Sequence, residues 1–356
     1  MNNNGEDKMK PVLFMLVIVV SGTLIFSCGE EKVSDNSYPS LEYSYRKLIE
    51  FDRELNNEAL NTPLAARIHD EHLYVLDLSN TCVYKFDIKG NYISKFGREG
   101  HGPGELNTPT YMQIDKNENI YIYDVSNTNI SIFDSNGEFL SSFQVNGYLN
   151  SPFHISEKNE ILINQPASRS FISVFSKDGT YIKDIGDIID NSDYQENNYN
   201  TLGQGWPFYS DGKYIFFSNI VPMIFVFDED GSIIEKKILD YPEIASFWDT
   251  VEKPDDSGNK KALELHHFRY LDIVKRGDFI YSLIYNDSGT DGKDGLTIDV
   301  IVFDKKLNIV KKIYLPINEE IRYDGHFRFK FDVAEDGEKI ILPMYLNAEV
   351  WEYFYK

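Results

Sequence analysis

The chain has 356 residues, of which 42% are hydrophobic and 14% aromatic, and its 24 Tyr and 24 Phe suit β-strands packed sheet against sheet. Its 57 acidic residues outnumber 35 basic ones, giving a formal charge of −22. That balance argues against nucleic acid or any other extended polyanion as a partner, because such binding depends on cationic neutralisation of phosphate; it favours neutral or cationic ligands, and it keeps the particle soluble and monomeric.

At the N-terminus, Lys8 and Lys10 precede an apolar run from Val12 to Val20 and then a short segment ending at Cys28. This order predicts a secretory signal over residues 1–27, and the run is too short for a membrane-spanning helix. Ile25-Phe26-Ser27-Cys28 resembles a bacterial lipobox, which implies cleavage before Cys28 and its acylation. The competing reading is an ordinary signal with a coincidental cysteine. Residues 28–40 read as a polar tether that cannot bury apolar area and is expected to be disordered. Glu30 and Glu31, just after the cysteine, resemble the surface-export signal of Bacteroidetes lipoproteins. That resemblance implies an outer-membrane lipoprotein exposed at the cell surface, with a periplasm-facing one as the alternative. With Cys28 used for lipid, Cys82 has no partner for a disulfide, and its position at the start of a strand reads as a small buried apolar residue.

From residue 41 onward the chain is built from one repeated unit. Six apolar strands, His72 to Asp77, Asn119 to Asp124, Glu160 to Gln165, Lys213 to Ser218, Asp278 to Leu283 and Lys339 to Met344, are each followed by a second strand. Between Tyr74, Tyr121, Leu162, Ile215, Ile280 and Ile341 the steps are 47, 41, 53, 65 and 61 residues, the spacing of four-stranded propeller blades. The expected fold is all-β: a single six-bladed β-propeller of four-stranded antiparallel blades over residues 41–356. The last blade lacks an outer strand after "AEVWEYFYK", and Leu41 to Phe51 can supply it, closing the ring from both ends.

The second unit is the most regular. Met112 and Ile114, Ile120 and Ile122, and Ile130 and Ile132 alternate with polar residues, the period of half-buried strands. With Pro109, Asp115, Asn119, Asp124, Asn127, Phe133, Asp134 and Gly137 in pattern, this segment resembles an NHL repeat. After each third strand a tight turn begins at Asp87, Asp134, Ser176, Asp228 or Asp304; these lack the alternating ligands and closing Glu of an EF-hand and read as hairpins. The stretch Phe96-Gly97-Arg98-Glu99-Gly100-His101-Gly102-Pro103-Gly104-Glu105 is similar to one found between early blades of the six-bladed β-propeller lipoproteins of Bacteroidetes. The resemblance implies fold and location, and carries no assigned chemistry.

Insertions are unevenly placed. Gly97 to Pro109, Gly186 to Trp206, Tyr241 to His267 and Leu315 to Gly325 each lead into a new blade, and Asn286 to Thr297 joins a second strand to a third, so all emerge at one end of the ring. A binding surface over the channel mouth at that end is expected, lined by Arg98, His101, His154, Arg169, Trp206, His266, His267, Arg269, His326 and Arg328. Such a rim fits a carboxylate, a sugar or a peptide terminus. The opposing reading is that these His and Arg side chains only satisfy backbone carbonyls between blades.

Catalytic signatures are absent: no HExxH, CxxC or G-x-S-x-G occurs, and His266-His267 lacks helical zinc spacing. No cofactor is implied. The one calcium candidate is the loop Asn286 to Gly295, where Asp287, Asp291 and Asp294 could gather an ion, and a short helix is expected around Lys260 to His266. The sequence therefore predicts an envelope lipoprotein that binds a protein, peptide or carbohydrate, attached to the membrane through its lipid alone. The alternative is a propeller hydrolase or lyase acting on a sugar or lactone, with or without a metal.

Overall fold

Alternating apolar and polar residues, punctuated by a tight turn after each of the first five third strands, fold the chain from residue 40 onward into six sheets. The computed structural model describes residues 12–20, 23–31, 40–41, 43–49, 60–145, 153–165, 170–187, 205–219, 223–239, 268–287, 296–315, 330–344 and 348–355. They belong to two units, Met1–Pro39 and Ser40–Lys356. In the first, Val12–Val20 pairs antiparallel with Thr23–Glu31, a strand that includes Cys28. Residues 32–39 of the expected tether, and the expected helix at Lys260 to His266, lie outside the described residues.

The second unit is a six-bladed β-propeller. From the axis outward, blade 1 is Pro63–His69, His72–Asp77, Cys82–Asp87 and Tyr92–Phe96. Blade 2 is Pro109–Ile114, Ile120–Asp124, Asn129–Phe133 and Phe139–Gln144. Blade 3 is His154–Ile155, Ile161–Ile163, Ser170–Phe175 and Tyr181–Asp187. Blade 4 is Gly205–Ser210, Lys213–Ser218, Met223–Phe227 and Ile233–Ile238. Blade 5 is Phe268–Arg276, Phe279–Asp287, Leu296–Phe303 and Ile309–Leu315. Blade 6 takes only Asp332–Val333, Lys339–Met344 and Glu349–Tyr355 from the C-terminal part of the chain.

Its outer strand is Tyr43–Ile49, antiparallel to Glu349–Tyr355 with Tyr45 opposite Tyr353. The ring closes as the sequence predicts. Arg46 Nε donates to Glu352 Oε2 at 2.6 Å and Lys47 Nζ lies 2.7 Å from Glu349 Oε1. Just before this strand, Ser40–Leu41 pairs parallel with Lys312 and Ile313, so the entering chain also covers the outer edge of blade 5.

Apolar side chains lie in the seams between blades. Ala65, Tyr74 and Val83 of blade 1 pack with Met112, Ile122 and Phe133 of blade 2, and Ile49, Ile341 and Val350 of blade 6 pack with Ile68, Val75 and Cys82 of blade 1. Burying side chains of this size contributes about 1.5–3 kcal/mol each, which makes the seams the main cohesive element of the ring. Cys82 is buried there, 3% exposed.

The turns after the third strands share one construction. Asp87 Oδ1 accepts from the backbone N–H of Lys89 and Asn91, and Asp134, Asp228 and Asp304 accept from the same relative positions. The third turn residue after the leader has positive φ: Gly90 at 88°, Gly137 at 84°, Gly179 at 84°, Gly231 at 85° and Leu307 at 58°. Each of the first three glycines lies directly on the outer strand of the preceding blade. A Cβ on Gly137 would fall 2.4 Å from Phe96 Cβ, one on Gly179 2.2 Å from Phe143 Cγ, and one on Gly90 2.6 Å from Leu48 O.

Candidate functional site

Along a propeller's innermost strands, side chains facing the axis meet those of every other blade, and here several are charged. Arg67 on blade 1 is 3% exposed, and its Nη1 and Nη2 donate to Asp272 Oδ2 at 2.9 Å and Oδ1 at 3.2 Å, a two-pronged pair with blade 5. Nη1 also donates to the carbonyl oxygens of Phe331 on blade 6 at 2.7 Å and of Ala66 at 2.9 Å. The Tyr111 hydroxyl on blade 2 accepts from Arg67 Nη2 at 3.3 Å and from Gln113 Nε2 at 2.6 Å, and donates to Asp272 Oδ1 at 3.4 Å. Four blades thus meet in one buried network.

Burial and mutual charge shift each member of this network. Burial opposes the charge on Arg67, but Asp272, Tyr111 and Asp332 together more than offset it and raise the guanidinium above its ordinary pKa. Burial likewise pushes the Asp272 carboxyl upward against the pull of Arg67 and Lys330. Burial, then the Asp272 charge, raise the Tyr111 phenol, which stays protonated. All three are tied to one another by hydrogen bonds, and the cluster fixes the relative positions of the blades. A second pair joins Arg276 Nη2 to Asp332 Oδ2 at 2.6 Å, and Asp332 Oδ2 also accepts from Ile68 N at 2.7 Å.

Towards the elaborated end, where the innermost strands begin, the channel is floored by a cation and aromatic rings. Lys330 is pinned by its backbone to blade 1, donating N–H to Leu64 O and accepting from Ala66 N, each at 3.0 Å. Its Nζ donates to Leu271 O at 2.7 Å and lies 5.2 Å from the Trp206 ring centroid and 5.9 Å from that of Tyr111. Trp206 is oriented by an Nε1 bond to Tyr270 O at 3.1 Å, and Tyr111 meets Phe153 edge-on with ring centroids 5.2 Å apart. Among the described residues, Arg67 pairs with Asp272 and Arg276 with Asp332, and Lys330 adds a third cation on the same innermost strands.

Of the residues expected at the rim, Trp206 is in this floor. His154, on the innermost strand of blade 3, packs on Phe208 of the innermost strand of blade 4 with ring centroids 4.0 Å apart, and burial together with nearby Lys275 lowers its pKa to about 3. Arg98 and His101 lie on the loop between blades 1 and 2. Arg98 Nη2 pairs with Glu105 Oε1 at 2.9 Å, and His101 Nδ1 meets Asn127 Oδ1 at 2.6 Å while Nε2 faces Asn107 Nδ2 at 3.3 Å. Arg269 lies in the innermost strand of blade 5, opposite Tyr285. Arg169, His266, His267, His326 and Arg328, and the loop residues Asp291 and Asp294, lie outside the described residues. Among the described residues no three His, Cys, Asp or Glu side chains are grouped to hold a metal ion.

The residues missed from sequence are Arg67, Tyr111, Asp272 and Lys330. For Arg67 and Asp272 the signal was a charge inside an innermost strand, Pro63–His69 and Phe268–Arg276, that is otherwise largely apolar.

Comparison with known proteins supports the same architecture. A family model described as a 6-bladed beta-propeller matches residues 60–164, which comprise blades 1 and 2 and the start of blade 3. No curated protein matches the chain in sequence. Among solved structures, a Bacteroides fragilis protein described as exported is 13% identical, with a TM-score of 0.55 over 92% of this chain and 98% of its own. A DUF4221-family member from Bacteroides vulgatus is 12% identical, with a TM-score of 0.54 over 90% of this chain and 98% of its own. Virginiamycin B lyase from Staphylococcus aureus, in a catalytically inactive form with quinupristin, is 12% identical, with a TM-score of 0.52 over 88% of this chain and all of its own. At these identities the likeness is one of fold.

Proposed function

We propose that this protein is a lipid-anchored binding module of the cell envelope whose channel mouth captures a carboxylate-bearing ligand, such as an acidic sugar or a peptide C-terminus. The observation that carries the reading is the Lys330 ammonium held against Trp206 and Tyr111, near the buried Arg67–Asp272 pair. An ammonium group held in place by buried aromatic rings attracts a carboxylate at the exposed end of the strand. Arg67 Nε, buried and without a hydrogen-bond partner among the described residues, supplies one more donor at the axis.

Calorimetric titration of the full-length protein with galacturonate and with short peptides bearing free or amidated C-termini tests this reading. Saturable binding that needs the free carboxylate and weakens at least about tenfold in Lys330→Ala supports it, a loss of about 1.4 kcal/mol. Failure of every carboxylate probe, or equal affinity in Lys330→Ala, refutes it. The anchor is tested separately: palmitate labelling should be lost in Cys28→Ala, and surface proteolysis of intact cells should remove the domain.

A further inference from the structure

The repeated contact between turn and neighbouring blade is altered at one seam. Blades 1 to 4 place Gly90, Gly137, Gly179 and Gly231 at the turn position of positive φ, whereas blade 5 places Leu307 there, at φ 58°. A branched side chain in this backbone region is strained, and such outliers persist where surrounding structure holds them for a purpose. Leu307 cannot lie flat on the neighbouring outer strand as glycine does; its side chain is buried in the seam, 5% exposed.

Beside it the seam between blades 4 and 5 opens into a groove of about 410 Å³ at the end of the ring opposite the channel mouth. Its floor is apolar, formed by Ile215, Val226, Ile280 and Leu307. Its rim carries Lys213, Lys237, Lys305 and Lys306, alongside the acidic residues Asp211 and Glu235. Lys237 spans the groove, donating to Lys306 O and, at 2.7 Å, to Asn308 Oδ1. Lys305 pairs with Asp278 at 2.8 Å. Lys213 and Lys306 are exposed and form no ion pair among the described residues. The Asp211 carboxyl is held below its usual range by the Ser210 hydroxyl and then by Lys275, Lys305 and Lys213, which reports a positive local field.

We infer that this groove binds a small organic phosphate, its apolar portion against the Ile215 and Leu307 floor and its phosphate among the rim ammonium groups. Four lysines without a single arginine favour a tetrahedral oxyanion over a planar carboxylate, because ammonium groups act as point charges and lack the guanidinium fork that matches a carboxylate. The volume lies within the range of small-ligand sites. Convergence of these cations in a chain of charge −22 runs against its overall composition.

Phenyl phosphate titrated into the full-length protein by calorimetry tests the inference. The expected result is saturable binding with one site per chain, weakened about tenfold or more in Lys213→Gln/Lys306→Gln and falling as salt rises. Both positions are exposed, so the variant should melt with the wild type. Absence of saturable binding to the wild type, or undiminished binding in the double variant, overturns it. So does loss of binding in Lys330→Ala with retention in the double variant, since that places the phosphate at the channel mouth. Failure here leaves the carboxylate titrations, and the function drawn from them, unaffected.

Discussion

A Cβ added to Gly90 would stand 2.6 Å from the carbonyl oxygen of Leu48, because the turn of blade 1 rests on the strand that closes blade 6. This is the one turn in the series whose neighbour is the closing strand, so it welds the two ends of the ring.

Gly90→Ala therefore meets both a backbone clash and a φ of 88°, and should destabilise the fold by about 2–4 kcal/mol. Gly212, at φ 77° with open space for 4 Å around the point a Cβ would occupy, is the control: Gly212→Ala should cost only about 1 kcal/mol. Denaturant unfolding of the two variants measures the difference, and equal losses would mean that the Leu48 contact contributes nothing.

The closing strand should depend on its partners unequally. Arg46 is 63% exposed, so Arg46→Ala should cost under about 1 kcal/mol, whereas Glu352 is 2% exposed and bonds Arg46 and Lys339 at once, so Glu352→Ala should cost about 1–2 kcal/mol. Deleting residues 40–49 uncovers the outer edges of blades 5 and 6 and should produce oligomers on size-exclusion chromatography.

Breaking the axial pair should be more severe. Arg67→Met leaves Asp272 buried without its cation, a loss of about 3–5 kcal/mol. A folded carboxyl whose pKa lies above its unfolded value loses stability as pH rises through the folded value. Without Arg67 this effect is enlarged, and unfolding midpoints of the variant should fall from pH 4 to pH 7 more steeply than those of the wild type. Asp272→Asn/Arg67→Met should recover part of the loss.

His154 gives the opposite slope. Its folded pKa of about 3 lies below the unfolded value, so between those two values the unfolded chain binds a proton that the native protein refuses. Its full contribution is present above the unfolded pKa and is lost as pH falls. From pH 7.5 to pH 5 the wild type should lose about 1–2 kcal/mol that His154→Phe retains, the range allowing for partial exposure of the ring.

Repetition made the ring legible before any coordinates. The apolar pairs such as Ile120 and Ile122, the turn leaders Asp87, Asp134, Ser176, Asp228 and Asp304, and the missing outer strand of the last blade are local signals, and each corresponds to an observed strand, turn or pairing. The axial cluster was not legible in the same way. Arg67 and Asp272 are 205 positions apart, and only closure of the ring makes them neighbours. The surroundings of His154 were hidden for a related reason: Phe208, the ring it packs on, comes from another blade.

Pairing of Tyr43–Ile49 with Glu349–Tyr355 joins segments about 300 residues apart; Arg46 and Glu352 are separated by 306. A chain synthesised N-terminus first delivers one half of this contact long before the other. Until the final strand crosses, the earlier one has no place to dock, and two flanking blades keep raw borders. Assembly would then finish late and almost all at once, with slow, topology-limited kinetics and a need for holding factors during transit.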